Sequence, residues 1–359
     1  MRAGLLAASA LMLLAASCGE DNGGRDASAG VAPPALAEAD AESGQARAVD
    51  AGRALIGQAG PAATLKTIDG ETIDLASAYG KKPVYLKFWA TWCVPCRQQM
   101  PGFEADFEKY RDQILTVAIN TGFNDTEEAV RDYRQHHGLR MPISVDDGSL
   151  AAALNLRVTP QHVVIGRSGR ILFVGHEEND ELHQALERAL AEPPAAAPAA
   201  MSLVSRSYRE GDVPSGLGPA LATAAGFPVT GPAKDGKPRV LLFFSPWCES
   251  YLKESRPRQA EACRRGREAA NQLAKAGDVH LVGISSGLWS SALDVQDYRA
   301  RNVLRIPLYL DANGQIFRAF GVREVPTMVV IDGSGRIVCR LRANDKALNA
   351  AIRAAKART

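Results

Sequence analysis

The chain carries a second copy of itself. The segment Val325-Pro326-Thr327-Met328-Val329-Val330-Ile331-Asp332-Gly333-Ser334-Gly335-Arg336-Ile337 aligns without a gap with the stretch from Thr159-Pro160 to Ile171, at an offset of 166. Val240–Cys248 aligns with the stretch that ends at Cys93, at an offset of 155. The 11-residue difference falls mostly in a longer helix of the second copy, predicted over Pro257–Ala276. Asn344-Asp345 repeats Asn179-Asp180, each opening a last helix with a capping residue. Matches in the same order with a shared end mean that one structural plan is used twice.

The plan is α/β. In each copy an apolar strand leads to a cysteine, and a helix interrupted by Pro101 or Pro257 follows. The strands Ile114–Ile119 and Val279–Ile284 come next, then helices over Asp125–His137 and Ala292–Arg301. A strand after the proline, a Gly-rich turn, a further strand and a terminal helix close each copy. Strands alternating with helices predict a mixed central sheet with helices on both faces.

The chemistry lies in Phe88-Trp89-Ala90-Thr91-Trp92-Cys93-Val94-Pro95-Cys96-Arg97. Strand, Cys-x-x-Cys and helix in that order put Cys93 at a helix N-terminus. Free N–H groups and the helix dipole favour a thiolate there. Cys96 is one turn further on, within reach of a small disulfide ring. One sulfur attacks and the other resolves, which is what thiol–disulfide exchange needs. Zinc is the rival reading, but a four-ligand site needs a second Cys-x-x-Cys or a spaced His pair. The only paired histidines, His136-His137, are adjacent and point apart. No metal and no other cofactor is expected.

These residues, with Thr159-Pro160 ahead of the strand Gln161–Ile165 and the turn Gly166–Arg170, resemble the thioredoxin superfamily. The likeness covers roughly residues 57–190 and is greatest to membrane-anchored TlpA/ResA-type thiol–disulfide oxidoreductases, which carry an inserted segment where Asn120–Asp147 stands here. It implies two tandem thioredoxin-like domains, with a cis-proline at Pro160 against the cysteine pair. It implies that Cys93 and Cys96 are catalytic, and that Trp92, Thr159 and Pro160 meet the substrate backbone. Two positions depart from the family. Lys87 stands where thioredoxins bury an acid that serves as proton acceptor, and Gln99 replaces a common Glu. Glu104 is the remaining candidate base for Cys96, although a solvated face suits it as well.

The second copy has lost the pair. Cys248 takes the place of Cys93, but Tyr251 takes the place of Cys96. Cys248 and Pro326 are therefore the candidate site residues of a degenerate domain with a single active-site-position cysteine. Fifteen residues of helix span about 22 Å, and a disulfide needs Cα atoms roughly 4.4–6.8 Å apart. Cys248 is thus expected to stand apart from Cys263 unless the chain unwinds or bends near Pro257. Cys263 and Cys339 read as small buried hydrophobes. The competing roles are a structural or client-binding module, a one-cysteine redox module, and a thiol peroxidase. Peroxiredoxins place a Pro where Leu241 stands, which weakens the last.

The N-terminus sets the compartment. Met1-Arg2 precedes an apolar run, Gly4–Ser17, that is too short to span a bilayer. Ala15-Ala16-Ser17-Cys18 resembles a lipoprotein signal that ends at a lipidated Cys18; the plainer alternative is an ordinary secretory signal. Residues 1–18 are read as the signal and 19–51 as a flexible tether poor in large apolar side chains. Residues 52–191 form the Cys-x-x-Cys domain, 192–205 a Pro/Ala linker, and 206–359 the degenerate domain. A net charge of +2 over 359 residues argues against a nucleic-acid partner.

The expected function is an exported, lipid-anchored thiol–disulfide oxidoreductase of a bacterial envelope, facing the periplasm. Its partners are exported proteins with disulfides or thiols, and an upstream electron donor such as a membrane thiol–disulfide relay. The Val94-Pro95 dipeptide resembles reducing members of the family. The alternative from another class is a non-enzymatic tethered scaffold for thiol- or metal-bearing clients in copper or haem maturation.

Overall fold

Central strands built from Val, Leu, Ile and Phe on both faces need cover on both sides. The computed structural model supplies it in two five-stranded sheets. It describes residues 34–357 except 195, 197, 198, 204–206, 343 and 344, so Cys18 and Asn344 lie outside the described residues.

The first unit opens with α1 (Pro34–Gly52), β1 (Pro61–Ala62), the hairpin β2 (Thr64–Lys66) and β3 (Thr72–Asp74), and α2 (Leu75–Ala78). Then follow β4 (Val84–Trp89), α3 (Val94–Gln98), α4 (Met100–Tyr110), β5 (Leu115–Asn120) and α5 (Glu127–His137). β6 (Ile143–Val145), α6 (Ser149–Ala153), β7 (Gln161–Ile165), β8 (Ile171–Gly175) and α7 (Asp180–Ala191) complete it. The connection contains β9 (Met201–Ser202) and α8 (Gly218–Ala225). The second unit runs β10 (Arg239–Phe244), α9 (Cys248–Tyr251), α10 (Pro257–Ala276), β11 (His280–Ser286) and α11 (Ala292–Arg301). It ends with β12 (Leu308–Asp311), α12 (Gln315–Ala319), β13 (Thr327–Ile331), β14 (Ile337–Arg342) and α13 (Asp345–Ala357).

The sheets have the orders β6-β5-β4-β7-β8 and β12-β11-β10-β13-β14. Each central strand is parallel to one neighbour and antiparallel to the other, as the mixed-sheet expectation requires. Even the registers repeat: Val84 pairs with Ile165, and its counterpart Arg239 pairs with Ile331. Every residue of β4 and β10 is buried. The extra residues of the second copy lie in α10, where the alignment put them.

Two expectations need correction. The segment read as a flexible tether contains α1 over residues 34–52. It is rich in Ala, a strong helix former, and its end packs on the first unit. Gly52 rests on the Val174 side chain, which a Cβ would strike at 2.3 Å. Gln45 Oε1 accepts from the backbone N–H groups of His176 and Glu177, and Arg47 reaches Asp294 of the second unit. The Pro/Ala linker is also tied down, because β9 pairs in parallel with β1.

Candidate active site

The sharp corner after β4 builds the site. Trp89 ends the strand, and Asp125 holds the corner: one carboxylate oxygen accepts from Thr91 N–H at 2.8 Å, the other from Thr91 Oγ1 at 2.7 Å. Trp92 Nε1 donates to the Phe123 carbonyl. Cys93 is the N-cap of α3, and its sulfur accepts from the Cys96 N–H at 3.2 Å. The two cysteines are disulfide-bonded with Cα atoms 5.2 Å apart. The Thr159–Pro160 bond is cis, and the Thr159 carbonyl oxygen lies 3.3 Å from Cys93 Sγ. Cys93, Cys96 and the Thr159–Pro160 bond thus lie together, with Trp92 directly ahead of Cys93.

Beneath the corner is a polar network that sequence reasoning only touched. Gln99, the residue found in place of Glu, closes α3 and links three groups. Its carbonyl accepts from Lys87 Nζ at 2.8 Å, its Nε2 donates to the His176 carbonyl, and its Oε1 faces His162 Nε2 at 2.9 Å. Tyr85 OH lies 2.8 Å from His162 Nδ1. A neutral His162 that donates from Nε2 and accepts at Nδ1 satisfies all of these groups. Burial drives its pKa well down, and the nearby Lys87 charge adds to this. Burial also pushes the Lys87 ammonium down to about 7, opposed by Glu178 and Asp106. Glu104 is not part of this network. It accepts from the backbone N–H groups of Arg140 and Met141, which ties α4 to the start of β6 rather than to Cys96.

The second unit repeats the corner in part; Pro246 and Ser290 replace Thr91 and Asp125, and Trp247 rather than the cysteine is the N-cap. Trp247 Nε1 donates to the Leu288 carbonyl as Trp92 does to Phe123, and Val325–Pro326 is cis. Cys248, however, is bonded to Cys263, with Cα atoms 6.3 Å apart. This corrects the expected separation. No continuous helix joins them: α9 stops at Tyr251 and α10 starts afresh at Pro257. The chain folds back between the two, and an ion pair locks the fold-back. Arg267, one turn beyond Cys263, grips both oxygens of Glu249, next to Cys248, and Tyr298 OH donates to the same carboxylate. Cys339 is half-buried on β14 against the second core rather than fully buried.

The two corners face each other. Trp92 and Trp247 stack with ring centroids 5.1 Å apart. Val94 N–H donates to Tyr251 OH at 3.0 Å. Arg256 donates to the Asn124 carbonyl, to Thr91 Oγ1 and to the buried Asp125 carboxylate. The pairing is reciprocal under the repeat. Asn124 N–H donates to the Arg323 carbonyl, and its counterpart Trp289 N–H donates to the Arg157 carbonyl, both at 2.8 Å. Asn124 and Trp289 share a positive φ, of 56° and 54°. Asp146 and Asp311 are likewise counterparts. Each accepts from the first N–H groups of the following helix, and each is faced by an arginine of the other unit, Arg323 or Arg157. Burial raises both carboxyls to about 6. This is an isologous contact made within one chain. Cys93 is 1 % and Cys248 0 % exposed.

A cysteine pair at a helix start, held against a cis-proline on a mixed sheet, defines a thiol–disulfide exchange protein. Comparison with known proteins agrees. The AhpC/TSA family matches residues 56–174, and a thioredoxin-like family matches residues 236–337. "Thioredoxin-like protein YneN" of Bacillus subtilis (strain 168) is 38% identical over 134 residues, which is 36% of this chain and 78% of the relative. "Thiol-disulfide oxidoreductase ResA" of Bacillus thuringiensis (strain Al Hakam) is 26% identical over 136 residues, 37% of this chain and 78% of the relative. A solved structure of a "putative Thiol:disulfide interchange protein DsbE from Chlorobium tepidum" is 25% identical, with a TM-score of 0.35, and covers 38% of this chain and 98% of that one. The chain belongs to the thioredoxin-like thiol–disulfide oxidoreductases.

Proposed function

We propose that the chain is an exported, lipid-anchored thiol–disulfide oxidoreductase that reduces disulfides of envelope proteins through Cys93 and Cys96. The observation that carries the reading is the placement of Cys93 as N-cap of α3 against Thr159–cis-Pro160. In the reduced state the Cys93 thiolate attacks a substrate disulfide, and Cys96, one turn on, attacks Cys93 Sγ to release the substrate as thiols. Thr159 offers its backbone groups to the substrate chain, because Pro160 has no N–H to give. An upstream dithiol, expected in a membrane relay, restores the pair. The names of the relatives support exchange as the activity; the reducing direction rests on Val94-Pro95 and on the need for a donor in an oxidising compartment.

The anchor is proposed at Cys18 from the Gly4–Ser17 run and the small residues before the cysteine. Among the described residues no helix is long and apolar enough to cross a membrane. Labelled fatty acid incorporated into the wild-type chain, and release of Cys18→Ala from membranes, is the expected result. A wild-type chain without label in the soluble fraction removes the anchor and leaves exchange untouched. For the activity itself, Cys93→Ser is expected to abolish insulin reduction, whereas Cys96→Ser accumulates mixed disulfides with clients.

A further inference from the structure

The second unit keeps a cysteine at the attacking position and a cis-proline, and its corner packs on that of the first unit. Cys248 occupies the position of Cys93, after the same corner and in a unit with its own cis-proline. It is bonded to a sulfur that the repeat does not predict. Cys93, Cys96, Cys248 and Cys263 all belong to one apolar cluster that runs unbroken from the first core through the Trp92–Trp247 stack into the second unit. The residues directly ahead of the two attacking positions already touch, through the Trp92–Trp247 stack, and Val94 N–H, next to Cys93, donates to the hydroxyl of Tyr251, which stands where the repeat has Cys96. In this arrangement Cys93 is 1 % and Cys248 0 % exposed, and the corners that carry them are packed against each other.

We propose that Cys248–Cys263 is a second redox-active disulfide whose reaction partner is the Cys93/Cys96 dithiol of the same chain, so that the two units form an internal relay. The proposal rests on the reading of Cys93 and Cys96 as an exchanging pair. An external dithiol first reduces Cys93–Cys96 and is itself oxidised. As the interface loosens, the Cys93 thiolate attacks Cys248 Sγ. The Cys248–Cys263 bond breaks, a Cys93–Cys248 bond forms, and Cys263 leaves as a thiolate that takes up a proton. The Cys96 thiolate then attacks Cys93 Sγ, Cys248 leaves as the second thiolate, and it too is protonated. Two electrons cross from the first pair to the second, and the two protons lost by one pair match those gained by the other. The Glu249–Arg267 ion pair holds α9 to α10 after the bond opens, which keeps Cys248 and Cys263 near each other.

The test starts from the fully oxidised full-length chain. Dithiothreitol is added, samples are quenched in acid at intervals, and each cysteine is followed by alkylation and peptide mass spectrometry. The relay predicts that thiols appear at Cys93 and Cys96 first and at Cys248 and Cys263 afterwards. In Cys93→Ser the second pair should open about ten-fold more slowly or worse. Equal rates in the two chains mean that the reagent opens the second disulfide directly, and the relay fails. A second disulfide that stays closed while the wild-type chain reduces insulin also overturns the relay but leaves the proposed function standing; absence of insulin reduction removes the proposed function. The double variant Cys96→Ser/Cys263→Ser gives an independent arm. Oxidised with glutathione, it should yield a monomer with Cys93 bonded to Cys248; glutathione on each sulfur instead counts against the relay.

Discussion

Trp92 and Trp247 stack across the domain interface at 28°, each directly ahead of the cysteine at its unit's active-site position. Their indole N–H groups are fixed in the same way, to the Phe123 and Leu288 carbonyls, both at 2.8 Å. Two copies of one corner have become the two halves of one interface.

Loosening that interface should raise activity. An aromatic pair is worth about 0.5–1.5 kcal/mol beyond the area it buries. Loss of about 1 kcal/mol raises an open population roughly five-fold, since a ten-fold change is about 1.4 kcal/mol. Trp247→Ala should therefore speed both alkylation of reduced Cys93 and insulin reduction by about that factor. Unchanged rates would show that the stack does not gate the site.

Arg256 should matter more for stability than its position at the start of a helix suggests. It is the cross-interface cation on Asp125, whose side chain is fully buried. A hydrogen bond to a charged group contributes about 1.5–3 kcal/mol. Arg256→Ala should lower the unfolding free energy by about that amount, read by urea titration. Arg265→Ala, on the exposed side of α10, should change it little.

The paired carboxyls make a pH prediction. Asp146 and Asp311 titrate at about 6 in the folded chain against an ordinary 3.8, because burial disfavours their ionised forms. Between these values the folded chain binds the proton and the unfolded chain does not. The stability contribution is thus full below 3.8 and is lost as pH rises through 6. In Asp146→Asn that part of the slope should shrink, seen as a smaller fall in Tm between pH 4.5 and 6.5 than in wild type.

Lys87 gives a slope of opposite sign, at higher pH. Its folded pKa of about 7 lies below the ordinary 10.5, so stability is gained as pH rises from about 7 toward 10. Lys87→Met removes the cost of the buried charge along with one hydrogen bond to Gln99. It should compare best with wild type near pH 6, and the advantage should shrink by pH 9. An advantage that grows with pH would mean that Lys87 is not held down by burial.

The fold was readable because the repeat, the Cys-x-x-Cys corner and the two proline elements are local patterns. The missing parts depend on contacts distant in sequence. Cys263 looks like a small helical hydrophobe until the break between Tyr251 and Pro257 brings α10 back beneath Cys248. Asn124 and Trp289 read as loop residues, and so do Arg157 and Arg323; only their equivalence under the repeat, seen beside their reciprocal bonds, reveals the interface. The Ala-rich segment around α1 lacks the large apolar residues that mark a helix by periodicity, and its packing rests instead on close approach at Gly52. Lys87 and Gln99 stood out as departures from a family pattern, but the network they enter with His162 and His176 could not be seen in one dimension.

The most direct measurement is insulin reduction by three full-length chains under one dithiol donor: wild type, Cys93→Ser and Cys248→Ser. The account predicts activity in wild type and in Cys248→Ser and none in Cys93→Ser, because only Cys93 has a resolving sulfur one turn away in its own helix. Activity retained by Cys93→Ser and lost in Cys248→Ser would place the exchange site in the second unit and contradict it.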